Sequence, residues 1–105
     1  MRVIYIAGPY RAPTEWGLEQ NLRHVEDAAI MLWRDGWAVI APHKNTAHFG
    51  GACWDSVWLE GDIEILKRCD AIFMVKGWEK STGATAELKV AKAQGMEIYF
   101  EGITQ

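Results

Sequence analysis

A chain of 105 residues, half of them apolar and about a quarter charged, can bury one core and not two, so it reads as one domain spanning residues 1–105. Its net charge of −3, with no run of Lys or Arg beyond a single pair, argues against a nucleic-acid polymer as partner and leaves only small anions at local sites. Cys53 and Cys69 are too few for a disulfide framework, and no signal peptide or spanning segment is evident; a cytoplasmic protein with no membrane partner is the expectation.

Residues 2–7, RVIYIA, form a β-branched and aromatic run stopped by Gly8-Pro9, which predicts a buried first strand pointing at the loop Gly8 to Pro13. From Thr14, Leu18, Leu22, Val25, Ala29 and Leu32 recur at helical spacing until Asp35-Gly36 closes the helix. His24, set among Arg23, Glu26 and Asp27, is expected to be a solvated surface residue. Trp37 to Ile40 is a second short strand, ended by Ala41-Pro42. The segment from His43 to about Ala52 holds two His, an Asn and a Gly pair without any hydrophobic period. A loop this long in a compact domain is usually functional or mobile.

A second helix is predicted from about Trp54 to Lys67, with Asp62 in its middle. Ala71 to Val75 is a continuous apolar run, suited to a strand covered on both faces. The stretch Gly77 to Gly95 then reads as a strand end, a small-residue turn and a helix, and Met96 to Phe100 is the last strand. The order βαβαβαβ predicts an α/β fold: a Rossmann-like (flavodoxin-like) three-layer sandwich whose short parallel sheet has four or five strands. Ligands of such sheets bind outside the carboxyl ends of the strands, so the loops after the first three strands share one rim. Trp16, Trp54, Trp58 and Trp78 fall in predicted loops or at helix ends, where such residues line pockets or subunit contacts.

Within the last helix, Ala84, Leu88, Ala91 and Gly95 share one face, with Val90 at its edge, and Glu87 falls inside that apolar arc. An unpaired buried carboxylate must be solvated, paired or neutralised. Position alone leaves two readings open: a Glu at the rim that bends out to water, or a carboxylate aimed into a cleft. The rim further collects Tyr5, Gly8, Tyr10 and Arg11 from the first loop region, His43, Asn45 and His48 from the second, and Ser81 and Gly83 from the third, with Asp62 nearby. Ser81 is a candidate N-cap, and the amides that follow it would face a phosphate-sized anion, which Arg11 from the facing loop can pair. Simple capping explains Ser81 equally well. Neither phosphate-loop fingerprint, G-x-G-x-x-G or G-x-x-x-x-G-K-[ST], is present. The spacing of His43, His48 and Cys53 matches no common zinc pattern, so neither metal nor cofactor is expected.

These residues carry a resemblance to the nucleoside 2-deoxyribosyltransferase superfamily. It rests on Ile4-Tyr5-Ile6-Ala7-Gly8, on Asp62-Ile63 followed by Cys69-Asp70-Ala71-Ile72, and on Ser81-x-Gly83-x-x-x-Glu87-Leu88 with Ala91 and Gly95. The chain looks most like a short bacterial and phage branch sharing Gly77-Trp78-Glu79-x-Ser81-x-Gly83-Ala84-x-x-Glu87. The resemblance implies that Glu87 is the nucleophile of a covalent, retaining N-glycosidic cleavage, that Asp62 protonates or holds the leaving base, and that Tyr5 orients the carboxylate. Position 81 is Ser, where transferases acting on free nucleosides have Asp. In this it resembles the 2'-deoxynucleoside 5'-monophosphate N-hydrolases, in which a Ser here and an Arg matching Arg11 hold the 5'-phosphate. The glycine pattern around that Arg is reduced to Gly8-Pro9-Tyr10-Arg11-Ala12. The chain ends at Gln105, where transferases supply residues to a neighbouring subunit's site, which also points to hydrolysis. The resemblance further implies a homodimer or larger homo-oligomer. Base exchange and non-catalytic nucleotide binding remain the alternatives, and the base and the sugar stay open.

Overall fold

The computed structural model describes residues 1–47 and 49–103, so the expectation for His48 lies outside the described residues. In chain order the elements are β1 (Val3–Ala7), α1 (Glu15–Arg34), β2 (Ala38–Ile40), α2 (Pro42–Asn45), α3 (Asp55–Leu66), β3 (Ala71–Met74), a 3-10 turn at Trp78–Lys80, α4 (Thr82–Ala93) and β4 (Glu97–Phe100). The strands pair in the order β2-β1-β3-β4, all parallel, making a sheet of four. Tyr5 is opposite Ile40 on one side and Ile72 on the other, so β1 is central.

The first crossover runs outward from β1 to β2, and the second returns over β1 to reach β3. Right-handed crossovers therefore put α1 on one face and α3 and α4 on the other, with the switch point between β1 and β3. The two-residue period of the strands sorts the core accordingly. Ile4, Ile6, Ala71, Phe73 and Val75 pack with Val25, Ala28 and Leu32 of α1. Tyr5, Ala7, Ile72 and Met74 pack with Leu66 of α3 and with Ala84, Leu88 and Ala91 of α4. Burying each of the larger aliphatic side chains contributes about 1.5–3 kcal/mol, enough to hold short strands whose own pairing is marginal.

Helix α1 begins where Thr14 caps it, its Oγ1 accepting from the Gly17 amide at 3.0 Å, and ends where Gly36 takes a left-handed φ of 95°. Two expectations change. The segment after β2 is not all loop: Pro42, with φ preset for the first turn of a helix, opens α2. Four residues are too few to show a hydrophobic period. His24 is not simply solvated: its Nε2 lies 2.9 Å from both carboxylate oxygens of Glu101, which accepts from the Lys76 amide at 2.7 Å. That link ties α1 to the ends of β3 and β4.

Candidate active site

Helix α4 is set by Ser81, whose Oγ accepts from the Ala84 amide at 3.1 Å, while the Thr85 hydroxyl donates to the Ser81 carbonyl at 2.8 Å. Capping uses one lone pair of Ser81 and leaves its O–H free to donate. The Thr82 and Gly83 amides have no protein acceptor among the described residues, as expected for the first turn of a helix. Gly83 faces α3: a Cβ placed on it would stand 3.7 Å from Leu59 Cδ2.

One turn further along α4, Glu87 turns toward the sheet instead of toward water. Its Oε2 accepts from the hydroxyl of Tyr5, a side chain with no exposed surface. Among the described residues no cation pairs with Glu87. Burial pushes its carboxyl up to about 7, against the pull of the Tyr5 hydrogen bond, and the charge of Asp62 adds to the rise. Asp62, half-buried on α3, is pushed up to about 6 by desolvation. Burial, then the charge of Glu87, raises the Tyr5 phenol far above its usual range, so Tyr5 stays protonated and donates. Tyr5, Asp62 and Glu87 thus form one group between α3, α4 and the central strand. It resolves the choice left by periodicity: Glu87 does not bend out to water.

The first loop is fixed from two sides. Gly8 passes so close to β3 that a Cβ there would stand 2.9 Å from Val75 Cβ. His43 Nε2–H donates to the Gly8 carbonyl at 2.9 Å, and its ring meets Tyr10 edge-on at 5.3 Å. That bond sets the tautomer, so Nδ1 is a buried lone pair with no protein partner among the described residues. Burial lowers the His43 pKa, keeping the ring neutral. From α1, Asn21 Nδ2 donates to the Tyr10 carbonyl at 3.0 Å and to that of Arg11 at 3.4 Å.

Arg11 has a protein partner that the sequence does not announce. Its guanidinium pairs with Asp55 at the first residue of α3. Asn45 is exposed at the end of α2, and no described hydrogen bond joins it to the other rim residues. Sequence reasoning missed Asn21 and Asp55. Asn21 offered one signal, a poor helix former inside α1; Asp55 offered none beyond an acid in a first turn. Among the described residues no three His, Cys, Asp or Glu side chains gather in a way that could hold a metal ion.

A four-stranded, all-parallel sheet covered by helices on both faces makes this an α/β protein with the Rossmann-like fold of the deoxyribosyltransferases. Residues 2–100 match the family described as "Domain of unknown function" (DUF4406), and the chain belongs to that family. Among solved structures it is similar to a 2-deoxyribosyltransferase from Bacillus psychrosaccharolyticus, with 25% identity and a TM-score of 0.72 over 98% of this chain and 77% of that one. A 2-deoxyribosyltransferase from Leishmania mexicana shares the fold, with a TM-score of 0.69 at 20% identity over 95% of this chain and 63% of that one. No curated protein matches the sequence. Among the described residues no helix is long and apolar enough to cross a membrane.

Proposed function

We propose that the protein is an N-glycosidase that cleaves the base–sugar bond of a deoxynucleoside 5'-monophosphate, with Glu87 as nucleophile. The observation that carries this is the state of Glu87: partly buried and turned toward the sheet, unpaired by any described cation, and held by a buried phenol beside a second raised carboxyl. A structural carboxylate is normally paired; one kept available in this way suits chemistry. The likeness to the Bacillus 2-deoxyribosyltransferase supports glycosyl transfer or cleavage as the reaction class.

In the first step a Glu87 oxygen attacks the anomeric carbon as the C–N bond breaks, and the departing base takes its proton from Asp62. In the second, water attacks the glycosyl ester and gives its proton to Asp62. Sugar phosphate leaves and both carboxyls return to their starting states. Tyr5 holds the attacking carboxylate in place through its hydrogen bond. The Ser81 hydroxyl, the Thr82 and Gly83 amides and Arg11 support the choice of a phosphorylated substrate. Gly8, Tyr10 and His43 form the wall of the first loop, and Asn45 is assigned to the same rim.

The test is to incubate the protein with deoxynucleosides and their 5'-monophosphates and to measure free base by chromatography. Release from a monophosphate, abolished by Glu87→Ala, is the expected result. No release from any substrate, or release undiminished in Glu87→Ala, overturns the assignment. The transferase neighbour favours one second reading, base exchange, which predicts that an added free base appears in a new nucleoside.

A further inference from the structure

We infer that Asp55 sets substrate specificity as a latch: its carboxylate holds the Arg11 guanidinium at the phosphate end of the cleft until a phosphate takes that guanidinium over. The inference rests on the glycosidase assignment and adds to it the residue that governs preference for a phosphorylated substrate.

The placement of Asp55 carries the argument. On α3, Asp55 stands one turn before Leu59 and two turns before Asp62, so the three lie along one stripe of the helix. Leu59 is the residue that borders Gly83 at the start of α4, and Asp62 acts on Glu87. The stripe therefore runs from the carboxylate group outward past the first turn of α4, and the Arg11–Asp55 pair sits at its outer end. Asp55, the partner of Arg11, thus stands about one helical turn of α3 outward from Leu59, the residue that borders Gly83.

The pair is built to open. Its side chains are 72% and 57% exposed, so solvent and salt screen their attraction. The Arg11 backbone is anchored, since Asn21 binds the carbonyls of Tyr10 and Arg11 and His43 binds that of Gly8. Opening therefore needs a rotamer change of Arg11 and no movement of the loop. Asp55, left behind, stays in the first turn of α3, where the helix dipole favours a carboxylate. A phosphate dianion competes for the guanidinium with two charges against one; an uncharged nucleoside does not compete at all. The latch therefore taxes only phosphorylated ligands, and removing it helps only them.

The experiment measures calorimetric binding of matched deoxynucleosides and 5'-monophosphates to Glu87→Gln protein, which does not turn them over, and to the same protein carrying Asp55→Asn or both Asp55→Asn and Arg11→Ala. Base release by the wild-type chain is measured on the same panel. Asp55→Asn is expected to tighten monophosphate binding about two- to fivefold, the size of an exposed ion pair, to leave nucleoside binding unchanged, and to lose its gain when Arg11→Ala is added. Monophosphate binding that is unchanged or weaker in Asp55→Asn, an equal shift for nucleoside and monophosphate, or a gain that survives Arg11→Ala overturns the latch. Base release without the Asp55 effect overturns the latch alone; the Asp55 effect without base release overturns the glycosidase assignment alone.

Discussion

The hydroxyl of Tyr5, in the middle of β1, donates to the carboxylate of Glu87, on α4; the Tyr5 side chain is fully buried and Glu87 is partly so. The bond opposes the desolvation that pushes Glu87 up to about 7. A hydrogen bond to a charged group is worth about 1.5–3 kcal/mol, which corresponds to roughly 1–2 pKa units. Tyr5→Phe therefore moves the proton shared with Asp62 more firmly onto the nucleophile. In a pH profile of kcat/KM, the variant is expected to lose roughly 10–100-fold near neutrality, with the upper limb moved to higher pH by about the same 1–2 units. An unchanged profile would show that the phenol has no part in tuning Glu87.

The same burial has a cost in stability that appears only on one side of neutrality. Folded Glu87 keeps its proton up to about 7, against an ordinary value of 4.5. Between those values the folded state binds more protons than the unfolded state, so stability falls as pH rises through that window and levels off above it. Glu87→Gln keeps an oxygen that accepts from Tyr5 and removes the titration. It is expected to raise the melting temperature at pH 8, by the equivalent of at most about 3 kcal/mol, and to leave it unchanged at pH 4. Equal effects at both pH values would remove the buried charge as the cause.

Gly8 is required by a contact and not by its φ. A Cβ at this position would stand 2.9 Å from Val75 Cβ, where the Val75 amide binds the Ala7 carbonyl at 2.9 Å and neither backbone can retreat without losing that bond. Gly8→Ala should destabilise the fold by about 1–3 kcal/mol, the usual cost of overpacking, measured by denaturant melts. Val75→Ala keeps the offending Cβ and brings no relief. In a Val75→Gly background the added cost of Gly8→Ala should fall toward zero, and a cost that persisted there would place the constraint elsewhere.

Much of this geometry is written in local patterns. The period of β1 puts Tyr5 on the face opposite Ile4 and Ile6, and the period of α4 puts Glu87 among Ala84, Leu88 and Ala91, so both facts are legible in the amino-acid sequence. Turn and cap chemistry likewise places Thr14, Gly36 and Ser81 at element ends. What stays hidden depends on which distant surfaces meet. No local pattern fixes the order β2-β1-β3-β4, and the meeting of Tyr5 and Glu87 on one face follows from that order together with crossover handedness. Arg11 with Asp55, and His24 with Glu101, join exposed or half-exposed side chains whose local sequence is that of any solvated helix or loop. Helix α2 is hidden for another reason, since four residues display no period and only Pro42 marks their start.

Asp62 provides the last prediction, because the two raised carboxyls titrate together. With Asp62 pushed up to about 6 and Glu87 to about 7, the pair carries a single proton between those values. The productive arrangement has Glu87 ionised and that proton on Asp62, ready for the leaving base. The profile of kcat/KM should therefore be bell-shaped with its maximum between pH 6 and pH 7. Asp62→Asn cannot protonate the base and removes the charge that helps raise Glu87. The upper limb should vanish, leaving activity that rises as Glu87 ionises and then levels off. With a natural base as leaving group the rate should fall roughly 10²–10⁴-fold, whereas a substrate whose leaving group needs no proton should be spared most of that loss. Equal losses on both substrates would make Asp62 a binding residue, not the acid of the first step.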